Sequence, residues 1–523
     1  MPAQDNLSER TPLRETPEGA FDGVDEERKT SASPKWVVIP YFVFSLLQGA
    51  ASSVDAEIMT QISCRMVESE NSSALPGFPS SSHEGHGGWA EACRASPAVQ
   101  ARTTKNITSV ILVVGILSTL TAAWWGGLAD RRGRKPVLAL VSLSEVATAA
   151  ATFLPVLFPG VFGIRFFLAG AVLYGLTGGQ LSGTTTAVAY LGDCARGGSK
   201  TELLTLFEAT QFLGAGIGPM LTPVLLPLGG LAAPHITILL CRLVFLVVLL
   251  FLPESMPLKA LRRMQQKAAA EAAQTKPFLA RLAEVPAELV RPLKVLLPKA
   301  DEYGKKDWRL TLVAIAFALF LVVPGLGSIK VLYVRGKFDW GVEEVGRWMS
   351  FNALCKLVVL LGILPLYNRL RKKQPTALED NDAKQLKKEA DTAFDLSVAR
   401  HSVLLALFGY LAMSFPTSSS RNFIVGTAFT SFAAATTPTL ESLALAFCAP
   451  EDAGKVLASM ATLATVSLST VGPSLFGAVY VAFVERWPEV VFVLAAAWIG
   501  CSLLSLLLVR VESSGRRGEE QEA

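Results

Sequence analysis

Gly126-Gly127-Leu128-Ala129-Asp130-Arg131-Arg132-Gly133-Arg134-Lys135-Pro136-Val137-Leu138 separates two apolar runs, near 107–127 and 137–157. Each run is long enough to cross a bilayer core as a helix, so the turn between them is very short. It holds four cations, Arg131, Arg132, Arg134 and Lys135. Basic loops are retained on the cytoplasmic side, where anionic lipid attracts them. The stretch therefore reads as the inner turn of a helical hairpin in a polytopic membrane protein.

Composition agrees. Hydrophobic residues make up 51% of the 523 and charged residues 18%, against about 25% charged in a soluble globular chain. Ten further apolar runs lie near 36–56, 162–192, 203–227, 234–252, 308–328, 343–366, 401–416, 422–446, 456–483 and 488–509. The expected fold is all-α, with twelve transmembrane helices in two pseudo-symmetric six-helix halves. Its parts are a disordered cytoplasmic tail (1–35), an N-terminal half (36–252) with an outer loop at 57–105, a cytoplasmic linker (253–307), a C-terminal half (308–509) and a short tail (510–523).

Orientation follows from the 48 Lys and Arg. With the N-terminus cytoplasmic, the inner segments hold 34 and the outer loops 9, so both termini are expected inside. The net charge of +4 then reports topology, and no nucleic-acid partner is expected. The first 35 residues lack an apolar core, so they read as a tail and not as a cleavable signal. Within the central segment, Lys259 to Gln274 reads as a helix with a basic face along the inner leaflet.

The turn from Gly126 to Leu138 resembles, at every defining position, the signature of the major facilitator superfamily between its second and third helices. Tyr190-Leu191-Gly192-Asp193-Cys194, the stretch from Tyr333 to Trp340, and the stretch from Asp395 to Arg400 are similar to a fungal group related to tetracycline-resistance and proton-coupled folate transporters. The resemblance implies secondary transport of a small organic solute between two related halves. It also implies that Gly126 and Gly133 permit close packing and a tight turn. In the same signature Asp130 docks on the helix N-terminus around Glu451 to Lys455 when the inner gate closes, since such an end favours a carboxylate. Asp193 is the natural partner of Arg134 or Arg131.

Gly214, Gly218 and Pro219 are similar to the helix-5 motif of drug and proton antiporters, with Thr222 and Pro223 in place of its last two glycines. Small residues four apart also serve plain helix packing. Gly472-Pro473 echoes Gly218-Pro219 at an offset of 254 residues, the offset that also carries Cys194 onto Cys448.

The outer loop holds Cys64 and Cys93, which an oxidising compartment would join as a disulfide. Asn71 heads a glycosylation acceptor pattern more accessible than that at Asn106. His83 and His86 lack the further ligands a metal site needs, so no metal is expected.

A charge at mid-membrane costs roughly 2.5 to 3.5 kcal/mol and needs a partner or water. Glu208 and Lys356 fall on helices that face each other across the halves by resemblance, and read as a candidate coupling pair. Glu145 and Arg242, on peripheral helices, read as a structural pair. Asp55 and Glu57 read as solvated residues at a helix end. Gln48, Gln180, Gln211, Asn352 and Glu441 are candidate cavity groups; each polar amide has the alternative of bonding a neighbouring carbonyl.

No G-x-x-x-x-G-K-[ST] loop, H-E-x-x-H or serine elbow occurs. ATP, an enzymatic role and a cofactor are therefore not expected, and an ion gradient remains as the energy source. The leading expectation is proton-coupled export by a monomer in the bilayer. The alternatives are proton-coupled uptake of an organic anion, marked by Lys356 facing the cavity, and a non-transporting nutrient sensor. The plasma and vacuolar membranes stay open.

Overall fold

The computed structural model describes residues 32–70, 93–158, 162–194, 200–256, 261–266, 293–300, 306–366, 381–415, 419–449 and 452–510. Asn71, His83, His86 and Glu451 lie outside them, as do most of both tails and of the linker.

Among the described residues eleven helices are long and apolar enough to cross a membrane. The twelfth apolar run, the fourth in chain order, is two helices, Ile164–Leu176 and Gly179–Cys194. They break at Gly178 and Gly179, whose φ of 81° and 54° few other residues adopt. The remaining spans are Lys35–Glu70, Pro97–Arg132, Arg134–Leu157, Lys200–Gly229, Ala232–Leu250, Arg309–Phe338, Val342–Leu366, Asn381–Ser414, Arg421–Ala446, Ala453–Phe483 and Val490–Leu508. They are called the first to twelfth spans in chain order. Between the halves, Lys299–Ala300 pairs antiparallel with Lys306–Asp307.

The first, second and seventh spans run further than their apolar stretches. The first continues through Asp55 and Glu57 to Glu70, the second begins at Pro97, and the seventh continues through Lys330 and Arg335 to Phe338. The described parts of the loop expected at 57–105 are thus largely helix. Helix ends carry polar residues wherever another helix covers them, so a hydrophobic cut-off stops too early.

Each half has its own core. Tyr41, Phe44, Tyr190, Phe207 and Phe245 pack in the first, and Phe317, Val403, Phe476 and Phe492 in the second. Leu228, Phe251 and Val224 point outward, as residues facing lipid do. Buried hydroxyls tie spans together: Ser53 to Thr222 at 3.2 Å, and Ser502 to the Ala316 carbonyl at 2.8 Å.

The two Gly-Pro pairs make equivalent approaches. A Cβ on Gly214 would lie 2.6 Å from the Phe42 carbonyl oxygen, and Gly218 meets the same helix a turn later, so the fifth span lies directly on the first. Gly472 meets Val322 and Gly325, which lays the eleventh span on the seventh in the same way. Thus the echo in sequence is an echo in packing between the halves. A π-helical turn, Ser467–Val471, precedes Gly472, and another, Val358–Ile363, interrupts the eighth span.

Candidate functional site

Three groups of residues stand out: a central cavity, the basic turn at one end, and a charged cluster beside Cys64 and Cys93 at the other.

The cavity, of ≈ 1520 Å³, lies between the halves and takes residues from both. Gln48, Asn352, Glu208, Glu441 and Lys356 line it; Gln180 and Gln211 do not. Gln180 is exposed just beyond the glycine break in the fourth span, and Gln211 falls off the helical stripe of Glu208, Phe212 and Ala215 that faces the space. Asn352 accepts a hydrogen bond from Ser431 at 3.1 Å.

The expected Glu208–Lys356 ion pair is not formed in this conformation: among the described residues neither takes part in an ion pair or hydrogen bond. Glu208 instead lies within electrostatic reach of Glu441, from the other half. Both are near the basic-turn ends of their spans. Lys356, deeper along the eighth span, is within reach of Lys330. Lys330 lines the cavity too, donates to the Tyr410 hydroxyl at 3.2 Å and lies 4.6 Å from the centre of that ring. Sequence reasoning missed Lys330 because it follows the apolar run of its span; continuation of the i, i+3, i+4 pattern through Val331 and Val334 was the available signal.

Arg242 also corrects the reading of peripheral helices. It reaches into the cavity, donating to Gln48 Oε1 at 3.1 Å and to the backbone carbonyl of Glu145 at 3.0 Å. The Glu145 carboxylate takes a weak bond from Tyr174 at 3.5 Å. Glu145 and Arg242 are thus coupled by this main-chain hydrogen bond and by charge, and Arg242 also belongs to the wall of the site. Asp55 lines the cavity 3.3 Å from His235 Nε2.

At the basic turn Gly133 has φ 100°, a conformation open to glycine. Glu254, just past the sixth span, folds under it: its two oxygens accept from the backbone amides of Arg134 at 2.9 Å and Lys135 at 3.1 Å. A carboxylate here both satisfies orphan amides and meets the positive end of the third span. Arg134 donates to Asp130 and, at 3.4 Å, to Asp193, which also accepts from Ser255 at 2.9 Å. Arg131 is exposed and offers its carbonyl to Gln265. In this conformation Asp130 is held by Arg134 within its own turn, and Gly126 has open space where a Cβ would go. Glu254 was missed because it lies about 120 residues from its partners; the dipeptide Pro253-Glu254 closing an apolar run was the trace it left.

At the opposite end Cys64 and Cys93 are disulfide-bonded, with Cα atoms 5.7 Å apart, in a dry pocket with Val67 and Val99. Glu57, expected in solvent, is buried and paired with Arg335 of the seventh span. The helix continues past it, so it is covered by the other half. Arg94 lies 3.7 Å from Glu57 and 3.4 Å from Asp339. Tyr480 donates to Gln100 at 2.8 Å. A Cβ on Gly346 would lie 2.6 Å from the Pro219 carbonyl oxygen, so the fifth and eighth spans also touch here. The halves are closed together at this end.

Twelve spans in two halves enclose a shared cavity, with the halves in contact at one end, the architecture of a secondary transporter. The profile of the Major Facilitator Superfamily matches residues 90–378, and the chain belongs to that family. It is 24% identical over 437 residues to the MFS-type transporter avaJ of Aspergillus versicolor, covering 81% of this chain and 80% of that one. Among solved structures it is similar in fold to the human organic anion transporter MFSD10 (TETRAN), at 18% identity and a TM-score of 0.57 over 91% of this chain and 99% of that one. A D-xylose-proton symporter gives a TM-score of 0.57 at 13% identity, over 91% and 96%.

Proposed function

We propose that the chain carries a small organic anion together with protons by alternating access. The observation that supports this best is the pair Lys330 and Lys356: two half-buried cations lining the cavity, with no carboxylate at ion-pair distance among the described residues. Unpaired buried charge is costly, and an anionic solute is the partner that relieves it. Glu208 and Glu441, facing each other from the two halves without cationic partners, are the candidate proton acceptors. With both termini cytoplasmic, the basic turn faces the cytoplasm and the disulfide faces the exoplasmic side. The conformation is then closed outward. The human organic anion transporter of similar fold is in keeping with the anion reading.

A second reading, export of an amphipathic compound against protons, is supported by Phe212, Phe320, Trp348 and Leu361 in the cavity wall. The antiporter-like residues Gly214, Gly218 and Pro219 speak less for it, because here they serve the packing of the fifth span on the first. Proteoliposomes with an imposed pH gradient and a panel of radiolabelled anions and cations separate the two. Anion uptake down the proton gradient, lost in Lys330→Gln and Lys356→Gln and uncoupled in Glu208→Gln, is the expected result. Cation extrusion indifferent to both lysines would overturn the anion reading in favour of the second.

A further inference from the structure

The closed end of the cavity carries four charges in an arrangement that neither a static latch nor a packing contact requires. The N-terminal half contributes Glu57 and Arg94, and the C-terminal half Arg335 and Asp339. In this conformation the pairs cross: Arg335 holds Glu57, and Arg94 holds Asp339 at 3.4 Å. The within-half alternatives are already close. Arg94 Nε lies 3.7 Å from Glu57, and Arg335 is four residues before Asp339 at the end of the seventh span, within electrostatic reach. Glu57 and Arg335 have side chains only 5% and 3% exposed, so leaving either without a partner is costly.

The geometry points to a partner exchange: as this end opens, Glu57 passes from Arg335 to Arg94 while Asp339 passes from Arg94 to Arg335. Each half leaves with one internal ion pair, and neither state strands a buried charge. The disulfide gives the exchange its reach. Cys93 precedes Arg94, and its bond to Cys64, two turns beyond Glu57 on the first span, holds Arg94 to the N-terminal half whichever way the C-terminal half moves. The Arg94 carbonyl accepts from Gln100 Nε2 at 2.8 Å, which turns the Gln100 oxygen toward Tyr480. Thus the third cross-half bond is set by the same residue.

The exchange rests on the alternating-access reading, and one experiment separates the two. Spin labels carried by noncanonical residues at the exposed positions Ser69 and Arg486 leave the cysteines untouched and report the separation of the halves at this end in nanodiscs. Wild type is expected to show a short and a long distance. In the swap Glu57→Arg with Arg335→Glu the crossed pair survives, but the open state sets Arg beside Arg94 and Glu beside Asp339. The long-distance population should fall roughly tenfold or more. Adding Arg94→Glu and Asp339→Arg reverses all four charges, gives every one of them an opposite partner in both states, and should restore it. Arg94→Gln alone should also lower the long-distance population, because open Glu57 loses its new partner; a simple latch predicts a rise. A wild-type distribution in the folded swap, or a rise in Arg94→Gln, overturns the exchange while alternating access stands. A wild type fixed at the short distance while it conducts solute overturns both.

Discussion

Replacing Glu254 with alanine removes the acceptor beneath the basic turn, and the structure gives the size of the effect. Two amides of the third span, Arg134 and Lys135, donate to it at 2.9 and 3.1 Å, and the amides of Ser255 and Met256 at 3.2 and 3.3 Å help orient it. A hydrogen bond to a charged group contributes about 1.5–3 kcal/mol, and a carboxylate at a helix N-terminus about 0.3–2 kcal/mol. The carboxylate is only half-buried, so water replaces part of what is lost. We expect about 2–3 kcal/mol of destabilisation for Glu254→Ala. Glu254→Gln keeps one acceptor and loses the charge, so about 1 kcal/mol is expected. Unfolding in micelles of rising SDS fraction, followed by the fluorescence of the nine tryptophans, ranks the three proteins. An alanine variant as resistant as wild type, or a glutamine variant as weak as the alanine one, would refute the account of the turn.

Gly214→Ala should lower the yield of monodisperse protein, since its Cβ lies 2.6 and 2.9 Å from backbone atoms of the first span and overpacking costs about 1–3 kcal/mol. Gly126→Ala, with nothing near its Cβ, should not. Replacing Cys64 and Cys93 with serine opens a loop of 29 residues and should cost about 3–4 kcal/mol, read as an earlier SDS midpoint that reductant reproduces in wild type. Hydrogen bonds from Arg309, at 2.7 to 3.0 Å, hold the Asp307 carboxyl below the usual carboxylate range. A depressed folded-state value gives stability that is present above the unfolded value, about 3.9, and lost as pH falls through the lower one. Thermal unfolding from pH 6 to pH 3 should show that loss in wild type and not in Arg309→Gln.

The twelve spans were legible because a helix in lipid must be apolar over nearly its whole length, and the turn at Arg131 to Lys135 fixed their alternation. What stayed hidden shares one cause. Glu57, Lys330 and Arg335 sit on helical turns beyond the apolar stretches, where the surrounding solvent is another helix and not lipid, and hydropathy does not distinguish that from water. Glu254 reaches the basic turn across a whole helical layer, a distance no local pattern records. The cavity amides divide on geometry alone: Gln48 and Gln211 are the same residue type, and a helical offset of a single residue from Phe212, about 100°, leaves Gln211 off the wall that Gln48 lines.

The two ends of the cavity bear on one another. At the basic turn, among the described residues, the polar contacts of Asp130, Arg134, Asp193 and Glu254 stay within the N-terminal half and the start of the linker. At the disulfide end, where the halves touch, the buried pair of Glu57 and Arg335 crosses between them. Charges with internal partners at an uncommitted end and crossed partners at a closed one are what a protein needs to keep both conformations of similar free energy, because separation of the halves then exchanges ion pairs without destroying them. The docking of Asp130 on the eleventh span that the signature implies would belong to the same logic, with Arg134 as the partner that Asp130 holds in this conformation. Neutralising Arg134 should therefore favour the state closed at the basic turn, as neutralising Arg94 should favour the state closed at the disulfide.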